Sequence, residues 1–131
     1  MTRYLLDVSA LIALGMEKHI FHSRVASWAL AQTGAIFLMC SITELGFVRI
    51  IAQVEEYDLD IPNSRKLLLD LKSSKRLHFE FLSDNLDISA LPRWVVTPKQ
   101  TTDGHLLELA KAHGAVLATF DAKIPGAFQI P

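Results

Sequence analysis

Thr102-Asp103-Gly104-His105-Leu106-Leu107-Glu108-Leu109-Ala110-Lys111-Ala112-His113-Gly114-Ala115-Val116-Leu117-Ala118-Thr119-Phe120-Asp121 reads as a helix running into a strand. Counting from Asp103, the positions i+3, i+4 and i+7 are Leu106, Leu107 and Ala110, one apolar helical stripe. Lys111 and His113 suit a last helical turn, and Gly114 suits the stop. Ala115 to Thr119 then reads as a strand, with Asp121 closing the apolar run. A carboxylate at each end of such an apolar unit needs a compensating group, because isolated charge beside apolar sequence is costly.

Outward from this unit the same alternation recurs, which argues for an α/β fold with a mostly parallel sheet. Arg3 to Asp7 reads as the first strand and Ser9 to Leu14 as a short helix. His19 to Gln32 reads as a helix with Val25, Trp28 and Ala29 on one side, ended by Gly34. Ala35 to Cys40 is a continuous apolar run, as expected of a strand covered on both faces. A helix is predicted from Ser41 to near Glu55, and another from Asn63 to Ser73. Leu77 to Leu82 alternates Leu77, Phe79 and Phe81 against His78 and Glu80, a strand pattern. Asp84 to Pro98 is the least regular part, with a short helix near Asp87 to Leu91. Ala127 to Ile130 reads as a final edge strand.

The 131 residues point to one domain, residues 1–131. Half are hydrophobic, so either a dense α/β core or a covered surface is expected. The net charge of −1 does not announce nucleic-acid binding, which must come from local arrangement. A single cysteine, Cys40, excludes an internal disulfide framework and a cysteine-based zinc site and fits a reducing cytosol. Its apolar surroundings suit a small buried hydrophobe. No signal peptide and no membrane-length apolar run is visible, so the expected location is the cytoplasm.

Asp7, Glu44, Asp103 and Asp121 all fall at boundaries beside apolar sequence. Asp7 and Asp121 end strands, and Glu44 and Asp103 lie in first helical turns, so all four belong to one edge of a parallel sheet. That is the edge where α/β proteins bind ligands. Glu44 heads an inward stripe of Phe47, Val48 and Ile51, as Asp103 heads its own. Each acid also has a structural role open to it. Asp7 could cap a helix and Asp103 could complement a helix dipole. Asp121 could make an Asx-turn, and Glu44 could close a capping box with Ser41. Four inward acids on one edge exceed what capping requires. Such close like charges repel and raise one another's pKa unless a cation binds. Hard divalent cations prefer oxygen ligands.

Four blocks resemble a PIN-domain nuclease, specifically the toxin of a VapBC-type toxin–antitoxin pair. They are Leu5-Leu6-Asp7-Val8-Ser9-Ala10-Leu11, Ser41-Ile42-Thr43-Glu44-Leu45, Thr102 to Ala110, and Gly114 to Asp121. Order and spacing match over almost the whole chain, with one departure at Gly104, where the family more often has alanine. The resemblance implies a three-layer α/β/α domain with a mainly parallel five-stranded sheet in the order 3-2-1-4-5. It implies metal-dependent hydrolysis of RNA through one or two Mg²⁺ or Mn²⁺ ions held by Asp7, Glu44, Asp103 and Asp121, leaving a 5′-phosphate. Ser9 and Thr119 match small hydroxyl positions beside the acids. A homodimer and an antitoxin whose amphipathic segment covers a groove are implied as partners. Arg49 and Lys123, which follow Glu44 and Asp121 closely, are the best candidates to hold the RNA strand.

Other readings fit less well. A haloacid-dehalogenase-like phosphatase needs a second aspartate where this chain has Ser9. A PIN-like scaffold acting only through a partner would have no need of all four acids. His19 and His22 share a helical spacing but lack further ligands. His105 faces away from Asp103 on a helix. Trp28 and Trp94 suit packing better than base stacking. The helix from Ser41 carries more apolar residues, Phe47, Ile50 and Val54 among them, than one core-facing stripe needs.

Overall fold

Tyr4 and Leu6 lie on one side of β1 (Arg3–Leu6), Leu5 lies on the other, and all three are buried. Burial on both faces is the condition of a central parallel strand. In the computed structural model, which describes residues 1–131, β1 pairs in parallel with β2 (Ile36–Cys40) on one side and β4 (Val116–Thr119) on the other. Beyond them β3 (His78–Leu82) pairs with β2, and β5 (Phe128–Gln129) pairs with β4. The order is β3-β2-β1-β4-β5, as expected, and every pairing is parallel rather than most of them.

Helices α1 (Val8–Gly15), α2 (His22–Ala31), α3 (Ser41–Gln53) and α4 (Ile61–Lys72) belong to the crossovers that lead from β1 to β2 and on to β3. Their residues Leu11, Val25, Trp28, Phe47, Ile51 and Leu68 share a core with Tyr4, Leu6, Phe37 and Met39. Tyr4 packs edge-on to Trp28 and stacks on Phe37 at the centre of that layer. Complete burial of a ring such as Phe37 contributes up to about 3 kcal/mol. The chain then crosses back, and α5 (Thr101–Ala112) covers the opposite face. There Leu106, Leu109 and Ala110 pack on Leu5, Leu38, Cys40 and Leu117. The direction of winding therefore reverses between β1 and β4, which is where an α/β sheet opens its ligand crevice.

One local expectation needs correction. The helix expected from His19 begins only at His22, because residues 17–21 form turns. His19 Nδ1 accepts the Phe21 N–H at 3.0 Å, and this local bond competes with helix formation. In β3, Phe81 is 50% exposed, while Leu82 is buried. β3 is a sheet edge, and the Lys72 ammonium lies 5.6 Å from the Phe81 ring centre, so the ring is covered by a cation instead of a core.

Gly104 has a packing reason. A Cβ there would lie 2.3 Å from Val95 Cγ2 and 3.3 Å from Pro92, so the connection before α5 seats directly on the helix's first turn. Alanine would gain up to about 1 kcal/mol of helix propensity. The overlap with a branched side chain costs about 1–3 kcal/mol. Gly104→Ala is therefore expected to lower stability by about 1 kcal/mol in urea unfolding. Val95→Ala in the same chain should relieve much of that loss. A stabilised Gly104→Ala variant would show that the connection is not seated as described.

Candidate active site at the carboxyl edge of the sheet

Asp7 is the N-cap of α1: its Oδ1 accepts the Ala10 N–H at 2.8 Å. Its backbone N–H donates to Ala118 O at 3.1 Å, which fixes the residue against β4. Its other oxygen, Oδ2, accepts a 2.5 Å hydrogen bond from the Thr119 hydroxyl. Thr119 is fully buried, and its Oγ1 also accepts the Asp121 N–H at 2.9 Å. One hydroxyl thus links two acid-bearing segments. Asp121 forms the expected Asx-turn, with Oδ1 accepting the Lys123 N–H at 2.9 Å. Its side chain is exposed, and Asp103 is half-buried in the first turn of α5.

The charges of these three acids act on one another. Asp7 is only 5% exposed, and burial pushes its carboxyl up to about 6. The bonds from Thr119 and Ala10 oppose that rise, and the charges of Asp103 and Asp121 add to it. Burial also raises the Asp103 carboxyl, with the Asp121 charge as a second cause.

Glu44 stands somewhat apart. The Val8 side chain would meet a Cβ at Gly46 at 2.8 Å, so the first turns of α1 and α3 are neighbours. Glu44 Oε2, however, accepts a 2.7 Å hydrogen bond from Lys72 Nζ, forming an ion pair with α4. The capping box expected between Ser41 and Glu44 is instead made by Cys40 as N-cap, whose N–H donates to Thr43 Oγ1 at 2.9 Å. The threonine hydroxyl does the work assigned to the glutamate and leaves the glutamate free for Lys72. Lys72 was missed from sequence because nothing local links it to a residue 28 positions earlier.

Of the other candidates, Ser9 is exposed in α1 and is not the cap. Arg49 and Lys123 are exposed. His105 is tied to Asp84 by a 2.5 Å contact, away from Asp103. Burial raises the Asp84 carboxyl, but the His105 bond, the Leu86 N–H and the charges of His105 and His113 outweigh it and leave it below its ordinary value. Trp28 lies in the core of the layer formed by α1 to α4, and Trp94 packs on the opposite one. No three acidic, histidine or cysteine side chains converge as a ready-made metal cage. A cavity of about 730 Å³ lies elsewhere, lined at the starts of β2 and β3 by Gly34, Ile36, Lys75, Arg76 and His78. Buried charge and the reversal of winding coincide instead at the carboxyl edge.

The sheet is all-parallel in the order 3-2-1-4-5, with Asp7 and Thr119 at the ends of the two strands where the winding reverses. The chain belongs to the PIN domain family, whose model matches residues 4–127. It is similar to Ribonuclease VapC38 of Mycobacterium tuberculosis, 36% identical over 124 residues covering 92% of this chain and 86% of that one. It is also similar to Ribonuclease VapC44 of that organism, 37% identical over 126 residues covering 93% and 88%. Among solved structures, VapC20 of M. tuberculosis, a sarcin–ricin loop cleaving toxin, matches with a TM-score of 0.64 at 11% identity, covering 92% of both chains. VapBC2 from Rickettsia felis, bound to a DNA fragment from its promoter, matches with a TM-score of 0.61 at 14% identity, covering 98% of this chain and 97% of that one. At these identities the structures speak for the fold alone.

The raised Asp7 carboxyl has a pH consequence. Between the ordinary 3.8 and about 6 the folded state binds this proton more tightly than the unfolded chain, so Asp7 makes stability fall as pH rises through that window. At neutral pH the cost is about 3 kcal/mol. Asn cannot ionise but keeps an oxygen for the Ala10 N–H. In EDTA, Asp7→Asn should therefore gain stability over the wild type as pH rises from 4 to 7, followed by urea unfolding. Parallel pH curves for the two proteins would refute the buried charge.

Proposed function

We propose that this chain is a metal-dependent endoribonuclease and the toxin of a toxin–antitoxin pair. The observation that carries the reading is the Asp7 carboxylate, buried and pressed by Asp103 and Asp121, for which a cation is the fitting counter-charge. The donor set fits Mg²⁺ or Mn²⁺, because it offers only hard carboxylate oxygens on an open edge. Mg²⁺ keeps several waters and needs few protein ligands, so a closed cage is not required. Asp7 and Asp103 would be the principal ligands, with Glu44 and Asp121 acting directly or through water. When bound, such an ion neutralises the phosphodiester charge and lowers the pKa of a coordinated water.

The protein's own contribution is position. The Ala10 N–H and the Thr119 hydroxyl hold both Asp7 oxygens, leaving each with a lone pair for a ligand. Thr119 also fixes the backbone of Asp121, so the two acids keep their separation. A fixed, preorganised acid set loses little on binding. Arg49 and Lys123 would meet phosphates of the RNA strand. Hydrolysis with water as nucleophile would leave a 5′-phosphate. The Ribonuclease VapC names of the relatives support RNA as substrate and a VapBC-type antitoxin as partner. A homodimer would account for part of the exposed apolar surface, such as Leu45 on α3 and Leu69 on α4.

Purified protein and a mixed RNA pool, with Mg²⁺ or Mn²⁺ and with EDTA, test this reading. Cleavage should require the metal. Asp7→Asn and Asp103→Asn should each lower it by about a hundredfold or more, at least what loss of a supporting outer-shell group costs. Cleavage unaffected by EDTA or by both substitutions would remove the acidic site from the reaction.

A further inference from the structure

We infer that Lys72 is the resident counter-ion of Glu44 and competes with a divalent cation for that carboxylate. The inference rests on the acidic-site reading and deepens it. Lys72 Nζ lies 2.7 Å from Glu44 Oε2, within contact-ion-pair distance. Both side chains are mostly covered, 29% and 23% exposed, so solvent screens the pair only partly. The ammonium has a second hold, the Phe81 ring 5.6 Å away on β3. Three elements, α3, α4 and β3, thus converge on one lysine side chain. The three aspartates have no such partner, since no lysine or arginine forms an ion pair with Asp7, Asp103 or Asp121.

A partly desolvated carboxylate needs one counter-charge, and here a lysine supplies it. A cation that reaches Glu44 finds Oε2 already engaged by Lys72. Full engagement of Glu44 then requires weakening of the Lys72 bond, and that cost is subtracted from cation affinity. Removing the lysine charge leaves Glu44 uncompensated and strengthens its demand for a metal. Methionine at position 72 keeps the length of the side chain and a favourable contact with the Phe81 ring. Lys72→Met therefore tests the charge without deleting the packing.

The experiment is calorimetric titration of Mn²⁺ into metal-free wild type, Lys72→Met, Lys72→Arg, Glu44→Gln, the Glu44→Gln/Lys72→Met double variant and Asp7→Asn, with circular dichroism to verify folding. Lys72→Met should bind Mn²⁺ about three- to tenfold more tightly than the wild type. Lys72→Arg should stay near the wild type, and the gain should vanish in the Glu44→Gln background. Equal or weaker Mn²⁺ binding by folded Lys72→Met overturns the inference, as does a gain that survives Glu44→Gln. If Asp7→Asn loses Mn²⁺ while Lys72→Met gains nothing, the acidic site stands and the role of Lys72 falls. If the wild type binds no Mn²⁺, or Asp7→Asn binds it unchanged, the acidic-site reading falls and takes this one with it.

Discussion

The hydrogen bond from the Thr119 hydroxyl to Asp7 joins the ends of the two parallel strands between which the direction of winding reverses. Much at this edge depends on it. The same hydroxyl accepts the Asp121 N–H, and the other Asp7 oxygen starts α1. A valine at position 119 would fill similar space but would leave Asp7 with one donor fewer and the Asp121 amide without an acceptor. The fold can bury a carboxylate here only because side-chain and backbone donors converge on it. Even so they do not cancel the penalty, and the carboxyl titrates near 6. Tension of this kind is characteristic of groups arranged for chemistry rather than for stability.

The two faces of the sheet divide the labour. The face covered by α1 to α4 is aromatic-rich and holds Tyr4, Trp28 and Phe37. The other is aliphatic and is covered chiefly by α5. Asp7 enters from an element of the first layer and Asp103 from the second, so their charges act on each other only because the sheet between the layers is continuous. The seat of Val95 on Gly104 matters for the same reason: it holds the connection against the turn that carries Asp103.

Much of this architecture was legible in the sequence, because apolar runs such as Ile36 to Cys40 and the stripe below Asp103 have a single economical reading. The β1/β4 reversal followed once the blocks around Asp7 and Asp121 were matched to a known family. The caps on Asp7 and Asp121 were also legible, since both bonds are to residues two or three positions away. What could not be read were contacts between distant segments. The Lys72–Glu44 pair, the His105–Asp84 contact and the seat of Val95 on Gly104 all depend on how elements lie in space. The exposure of Phe81 was not legible for a different reason, because alternation tells which residues share a face but not whether anything covers that face at the edge of a sheet.

The chain's two tryptophans fall on opposite sides of the sheet, Trp28 inside the aromatic layer and Trp94 against the aliphatic one. Each layer thus carries its own intrinsic fluorophore. With one or the other replaced by phenylalanine, emission would follow the loss of a single layer during denaturation. Coincident transitions would mean that the shared sheet makes the layers one cooperative unit. Separate transitions would mean that the layer carrying Asp103 can open while the one carrying Asp7 stays folded.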